Sequence, residues 1–239
     1  AYMTKNKLNI GIFAYNFKHW KTQVGIQNLI LSGLKPKVVL AADPIKLNVH
    51  RSNVRTNPRG LFLFHPKEVA AAHNVDYHVV KHNSLETSKL VTDYQLDLGV
   101  ILGARILKPV AFKNFTKGVL NMHPGLLPSN RGLDTIKWAI LRGTPQGVTT
   151  HIIDANIDRG LLVDKQKIEI YKDDSLVDIQ IRIHNLEQKM MLESIEEISK
   201  NGISKFCKLG EGRYNPPLTN QIEAALSHEF QDYKRKYCS

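Results

Sequence analysis

Leu8-Asn9-Ile10-Gly11-Ile12-Phe13-Ala14, then Val24, Ile26, Leu29, Ile30 and Leu34, then Lys37-Val38-Val39-Leu40-Ala41-Ala42: these three stretches decide the fold. The first is apolar on both faces, as a strand covered on two sides must be. The second recurs at helical spacing and stops near Gly33 and Pro36. The third is again an apolar run, ending at Asp43-Pro44. Strand, helix, strand in that order builds a parallel pair joined by a crossover helix. The pattern repeats: Pro66–His73 predicts a short helix, Tyr77-His78-Val79-Val80 a third strand, Glu86–Tyr94 a helix and Leu96–Leu102 a fourth strand. An α/β chain is expected, with a mostly parallel sheet and helices on both faces. Ligands of such sheets gather at the carboxyl ends of the strands.

Further along, Gly118-Val119-Leu120-Asn121-Met122 predicts a strand, followed by a Pro- and Gly-rich loop and a helix from about Leu133 to Leu141. Gly147–Ile153 and Leu161–Ile170 predict two more strands. Ser175 is placed to cap a long helix in which Ile179, Ile183, Leu186 and Met190 share one face. Beyond about residue 205 the chain reads as a tail containing Pro216-Pro217 and Lys234-Arg235-Lys236. The expected division is a catalytic domain over 1–205 and a short C-terminal extension over 206–239, packed on it or mediating dimer contacts.

The 239 residues are enough for a core without disulfides. A hydrophobic content of 42% with 23% charged residues excludes a disordered chain and a coiled coil. No apolar run approaches membrane-spanning length. Ala1–Lys7 runs into the first strand with no leader pattern, and Cys207 and Cys238 are too few and too distant for a disulfide framework. Both readings give the expectation of a cytoplasmic chain. A zinc cluster is excluded because neither Cys-x-x-Cys nor His-Glu-x-x-His occurs. The net charge of +11 asks for an anionic partner: nucleic acid, a phosphorylated small molecule, a polyanionic cofactor or a membrane surface, unless it only solubilises. Its least acidic stretch is 44–67, with Lys46, Arg51, Arg55, Arg59 and Lys67 and no Asp or Glu. Two readings stand for this loop: an anion-binding lid, or a solvated mobile insertion.

The chemistry concentrates in Asn121-Met122-His123-Pro124-Gly125-Leu126-Leu127-Pro128, with Arg131-Gly132 after it. Asn121 and His123, two apart at a strand end, project to one side, and the two prolines stiffen the loop beyond them. Asp154-Ala155-Asn156-Ile157-Asp158-Arg159-Gly160 is a turn-like segment with two carboxylates. An amide, an imidazole and a carboxylate together suit acyl transfer: oxyanion stabilisation by the amide, proton movement by the other two. No Gly-x-Ser-x-Gly elbow or suitably placed Cys supplies a nucleophile, so direct attack on an activated acyl donor is expected.

The block from Leu102 to Gly160 resembles the folate-dependent formyltransferases, whose hallmark Asn-x-His-Pro-x-Leu-Leu-Pro is matched at Asn121–Pro128. An Asp 35 residues after the His, here within Ile157-Asp158-Arg159-Gly160, belongs to the same pattern. Gly103-Ala104-Arg105-Ile106-Leu107 is similar to the family segment that holds the pterin. The resemblance implies a Rossmann-like formyltransferase fold, 10-formyltetrahydrofolate as co-substrate and no metal. It implies Asn121, His123 and Asp158 as catalytic residues, with Arg105, Ile106, Leu107, Ile153 and Asp158 at the folate. Asp154 is the rival carboxylate, and His151 aligns with a His frequent in the family.

Departures from the family narrow the acceptor. Ala14–Trp20 lacks the glycine-containing phosphate loop of glycinamide ribonucleotide enzymes, and about forty residues after the long helix are too few for the β-barrel of methionyl-tRNA enzymes. There is also no room for the regulatory domain of the formyltetrahydrofolate hydrolases. The compact sugar N-formyltransferases remain, acting on a nucleotide-linked amino sugar on the route to surface polysaccharides, and the resemblance implies a homodimer. Thr135, where many relatives carry Pro, is a departure at the sub-family level. Other primary amines are the alternative: an amino acid, a siderophore precursor, glycinamide ribonucleotide or an aminoacyl-tRNA. A nucleic-acid-binding module resting on the basic loop is a third reading, and it lacks a recognised binding fold.

Overall fold

The computed structural model describes residues 8–46, 52–156 and 158–238. Seven strands form one sheet: β1 (Ile10–Tyr15), β2 (Val38–Ala42), β3 (Asp76–Val79), β4 (Leu98–Ile101), β5 (Val119–His123), β7 (Gly147–Ile152) and β8 (Leu161–Lys167). Their spatial order is β3-β2-β1-β4-β5-β7-β8. Pairing is parallel from β3 through β5 and antiparallel at β5–β7 and β7–β8. The order reverses between β1 and β4, so a crevice opens at the carboxyl ends there, and Asn121 and His123 lie at the adjoining end of β5.

Helices cover both faces. On one face α1 (Trp20–Leu31), α2 (Pro66–Ala72) and the 26-residue α6 (Leu176–Asn201) bury Ile26, Leu29, Val69, Met191, Ile195 and Ile198 against Ile10, Ile12, Val100 and Met122. On the other, α3 (Leu85–Asp93) and the one-turn α4 (Pro109–Phe112) enclose Phe13, Leu40, Val91 and Phe115. Ser175 caps α6 reciprocally with Asp178, as its position in the sequence suggests.

Residues 206–238 hold more structure than a tail. Tyr214-Asn215 (β9) pairs in parallel with Arg131-Gly132 (β6), and two helices follow, α7 (Asn220–Glu223) and α8 (Leu226–Tyr237). Leu226, Phe230 and Tyr233 bury against Ile136 and Ile140 of α5 (Thr135–Leu141) and Ile179 and Ile183 of α6. The stripe 226-230-233-237 has helical spacing, but it follows Pro216-Pro217 and is interleaved with charge, which disguises it.

The basic loop is pinned where it is described. Ser52 Oγ and the Asn53 amide both donate to the Glu223 carboxylate, at 2.6 and 3.0 Å, and Phe64 N donates to Gln23 Oε1 at 2.8 Å. These anchors remove the freedom that a mobile insertion would need at Ser52–Asn53 and Phe64. Arg51 lies outside the described residues.

Candidate active site

Register brings the chemistry together. Antiparallel pairing sets Asn121 opposite His151 and His123 opposite Thr149, while Met122 turns to the core on the far face. The strand end is braced from several directions. Lys21 of α1 donates to the Met122 carbonyl at 3.0 Å and pairs with Glu187 of α6 at 2.8 Å. Thr149 Oγ1 accepts from Leu127 N at 3.0 Å and donates to Gly125 O at 2.8 Å. The Thr135 hydroxyl donates to the Pro124 carbonyl. This departure from the family pattern thereby ties the start of α5 to the proline loop.

Asp158 reaches the same place through a tight turn. Its backbone is left-handed at φ 49°, a conformation Asp tolerates, and Gly160 follows at φ 103°. A side chain on Gly160 would strike the Ile152 carbonyl, so this turn requires glycine. Asp158 Oδ1 lies 3.4 Å from His123 Nδ1, and Oδ2 accepts the Gly132 amide at 2.7 Å. Burial raises the Asp158 pKa, but contact with His123 and the Gly132 amide outweighs it, and the carboxyl is held below its ordinary value. Asp154 accepts from the Asn156 amide at 2.8 Å instead. It lines the cleft, and the carboxylate beside His123 is that of Asp158.

Hydrogen-bond logic fixes the two imidazoles. His123 Nε2 must donate to the Asn130 carbonyl, 2.7 Å away, which leaves Nδ1 for Asp158. His151 Nδ1 must donate to the Arg159 carbonyl at 3.0 Å. Burial, then the nearby His123, push the His151 pKa down to about 4, so the ring is neutral at pH 7 and Nε2 is an acceptor. The Asn121 amide therefore donates one hydrogen to His151 Nε2, at 3.2 Å, and keeps the other for an oxygen in the cleft.

The cleft has a volume of about 180 Å³ and is lined by Asn121, His151, Asp158, Arg105, Leu107 and Ile153, among others. Ile106, also on its wall, is 62% exposed, an apolar surface with no protein neighbour to cover it. An apolar wall, polar side chains and one Arg fit a flat heterocycle with polar edges and an anionic tail. His123 is 4% exposed and sits behind Asp158 rather than on the wall. The backbone holders, Asn130 O and Gly132 N, carry no local sequence signal. Among the described residues no group of three or more His, Cys, Asp or Glu could hold a metal, and no helix is long and apolar enough to cross a membrane.

The sequence is similar to that of methionyl-tRNA formyltransferase from Chlorobium chlorochromatii, 30% identical over 135 residues, covering 56% of this chain and 43% of that one. It is also similar to GDP-perosamine N-formyltransferase from Brucella melitensis, 30% identical over 145 residues, covering 59% of this chain and 55% of that one. The chain thus spans about half the length of the curated relatives it matches. The fold is similar to that of an N-formyltransferase from Helicobacter canadensis solved with folinic acid and dTDP-3-aminofucose, at a TM-score of 0.63 and 19% identity, covering 89% of this chain and 72% of that one. Residues 34–195 match the formyl transferase family model, and the chain belongs to the formyl transferase family.

Proposed function

We propose that this protein is an N-formyltransferase that moves the formyl group of 10-formyltetrahydrofolate to the primary amine of a nucleotide-linked amino sugar. The observation that carries the reading is the Asn121 amide with one hydrogen uncommitted, beside an ionised Asp158 backed by His123. 10-Formyltetrahydrofolate supplies an activated formyl carbon. Arg105, Ile106, Leu107 and Ile153 would hold its ring system against the cleft wall. Asn121 donates to the formyl oxygen as negative charge grows there, and His123, when protonated, adds a positive charge behind it. Asp158, its charge stabilised by His123 until then, takes the proton that the amine sheds, directly or through water; as the tetrahedral centre collapses the bond from the formyl carbon to N10 breaks, and that proton passes to N10 so that tetrahydrofolate leaves. No covalent enzyme intermediate is needed.

Two features support a sugar nucleotide as acceptor. The end of β1 presents a stacked aromatic pair, Tyr15 and Phe17 with centroids 4.9 Å apart, where a phosphate loop would need bare backbone. The GDP-perosamine relative and the neighbour solved with a dTDP-linked amino sugar act on or bind acceptors of this class. The methionyl-tRNA relative supports other amines as the alternative. The same reading carries a cytoplasmic location, a homodimer and a place in surface-polysaccharide synthesis. The test incubates the protein with 10-formyltetrahydrofolate and a panel of GDP-, dTDP- and UDP-linked amino sugars, methionyl-tRNA and glycinamide ribonucleotide, and detects the formamide by mass. Product from a sugar nucleotide alone is the expected result. Product only from another amine replaces the acceptor, and none from any amine overturns the reading.

A further inference from the structure

The segment Asn130–Leu133 holds both members of the His123–Asp158 pair through backbone groups: the Asn130 carbonyl takes the imidazole and the Gly132 amide takes the carboxylate. The C-terminal extension holds this segment from outside. Arg131 N donates to Arg213 O at 3.2 Å, and Leu133 N donates to Asn215 O at 3.0 Å. The approach is so close that side chains on Gly132 or Gly212 would strike the Asn215 backbone or the Pro128 carbonyl.

At the centre of this contact lies Asn215, with no exposed surface. Its Nδ2 donates to Asn130 Oδ1 at 2.5 Å. The orientation is forced. Asn130 Nδ2 donates to the Thr135 carbonyl at 3.0 Å, so Asn130 must turn its oxygen to Asn215, and Asn215 must answer with its amino group. The Asn215 oxygen has no hydrogen-bond partner, so the amide is anchored through this one donor.

We infer that Asn215 is a positioning residue for formyl transfer: its side-chain amide fixes Asn130, and Asn130 in turn fixes the imidazole of His123. The inference rests on the functional reading above. It makes the extension a working part of the site, although none of its described residues lines the cleft.

Two variants test it, Asn215→Ala and Asn215→Asp, each assayed well below its own melting temperature. Alanine removes the donor. Aspartate keeps the shape but opposes a carboxylate to Asn130 Oδ1, a clash that protonation of the carboxyl relieves. In Asn215→Ala, kcat falls about tenfold with both KM values within about twofold, because the interaction holds the reacting geometry and not the ligands. In Asn215→Asp the loss is larger at pH 8, and the ratio to wild type recovers as pH falls toward 6. A wild-type kcat in both variants, or an equal loss at every pH in Asn215→Asp, overturns the inference. Imidazole ¹⁵N spectra of His123 in wild type and variants need no acceptor and separate the two ideas. A shifted His123 signal without formylation of any amine sinks the function and keeps the positioning. Turnover with an unmoved signal does the reverse.

Discussion

His123–Asp158 at the cleft and Lys137–Glu223 under the C-terminal helices are both buried pairs of opposite charge, and they are built differently. Lys137 Nζ lies 2.6 Å from Glu223 Oε1 and 2.6 Å from Ser52 Oγ, while Glu223 Oε2 takes the Asn53 amide. The two side chains are 5% and 2% exposed. Burial pushes the Glu223 carboxyl up, but Lys137, Ser52 and Asn53 together hold it below its ordinary value. Both oxygens of Glu223 are engaged, as both of Asp158 are, but at closer range and with the side chain sealed from solvent. The cleft pair stands 3.4 Å apart, and Asp158 keeps one edge on the cleft. A saturated pair has no capacity left for a substrate proton, whereas a slack pair with an open edge does. The first closes the fold around the C-terminal extension; the second is available for chemistry.

The sharpest way to break this contrast is to remove each pair in turn. Asn121→Ala, His123→Ala and Asp158→Asn are expected to cut kcat by about 10²–10⁴ with the fold retained and a smaller stability loss than Glu223→Ala. A large stability loss in those variants would make the cleft pair structural as well. Glu223→Ala should instead cost about 3–5 kcal/mol in denaturant unfolding by leaving Lys137 buried and unpaired. Lys137→Met with Glu223→Leu should recover much of that stability, and turnover per folded molecule should stay near wild type. If Glu223→Ala lowered kcat at unchanged stability, the distinction would fail.

The pH dependence of stability is smaller and has a definite sign. Burial, then nearby positive charge, hold His19, His151 and His184 at about 4, below their unfolded value of 6.5. Between those values the unfolded chain binds protons that the native protein refuses, so stability falls as pH drops from 6.5 to 4. Asp158, depressed, loses its contribution lower still as it protonates. His184, stacked on Trp20 at 3.7 Å with Nε2 unpartnered, is one contributor, and His184→Gln should flatten the slope of unfolding free energy against pH. An unchanged slope would remove it from the account. The smallest expected effect is in the basic loop, where Arg55→Ala with Arg59→Ala should raise KM for folate or acceptor about threefold. Unchanged KM values for both would leave the loop a solvated insertion.

The two regions also differ in how far the sequence disclosed them. Strands β1, β2, β4 and β5 are largely apolar runs with helices between, and the local pattern reveals them because burial on both faces demands it, whereas the edge strand β3, Asp76–Val79, is exposed to half-buried. The cleft residues stand in one compact motif, Asn121–Pro128, plus the Asp158 turn, so they could be read together. Lys137 and Glu223 are 86 positions apart, and neither sits in a pattern. The β6–β9 pairing joins Arg131-Gly132 to Tyr214-Asn215, two residues each, too short to carry any alternation. Asn130 acts on His123 through a main-chain carbonyl, which every residue has, so its identity could not announce the contact. Helix α8 did leave a stripe, at Leu226, Phe230, Tyr233 and Tyr237, masked by the charges between them.

The pairing of residue 131 with residue 214 also carries a consequence in time. A ribosome delivers the seven sheet strands, Asn121, His123 and Asp158 well before Asn215. The main sheet can condense on local contacts first, and the distant strand must wait for its own synthesis. With Asn215 positioning the imidazole, a nascent chain halted after α6 would carry every group that faces the cleft and still turn over poorly. Activity would then report that synthesis has passed Asn215, and a chain cut short before it would lack both the amide that fixes Asn130 and the carboxylate that pairs with buried Lys137.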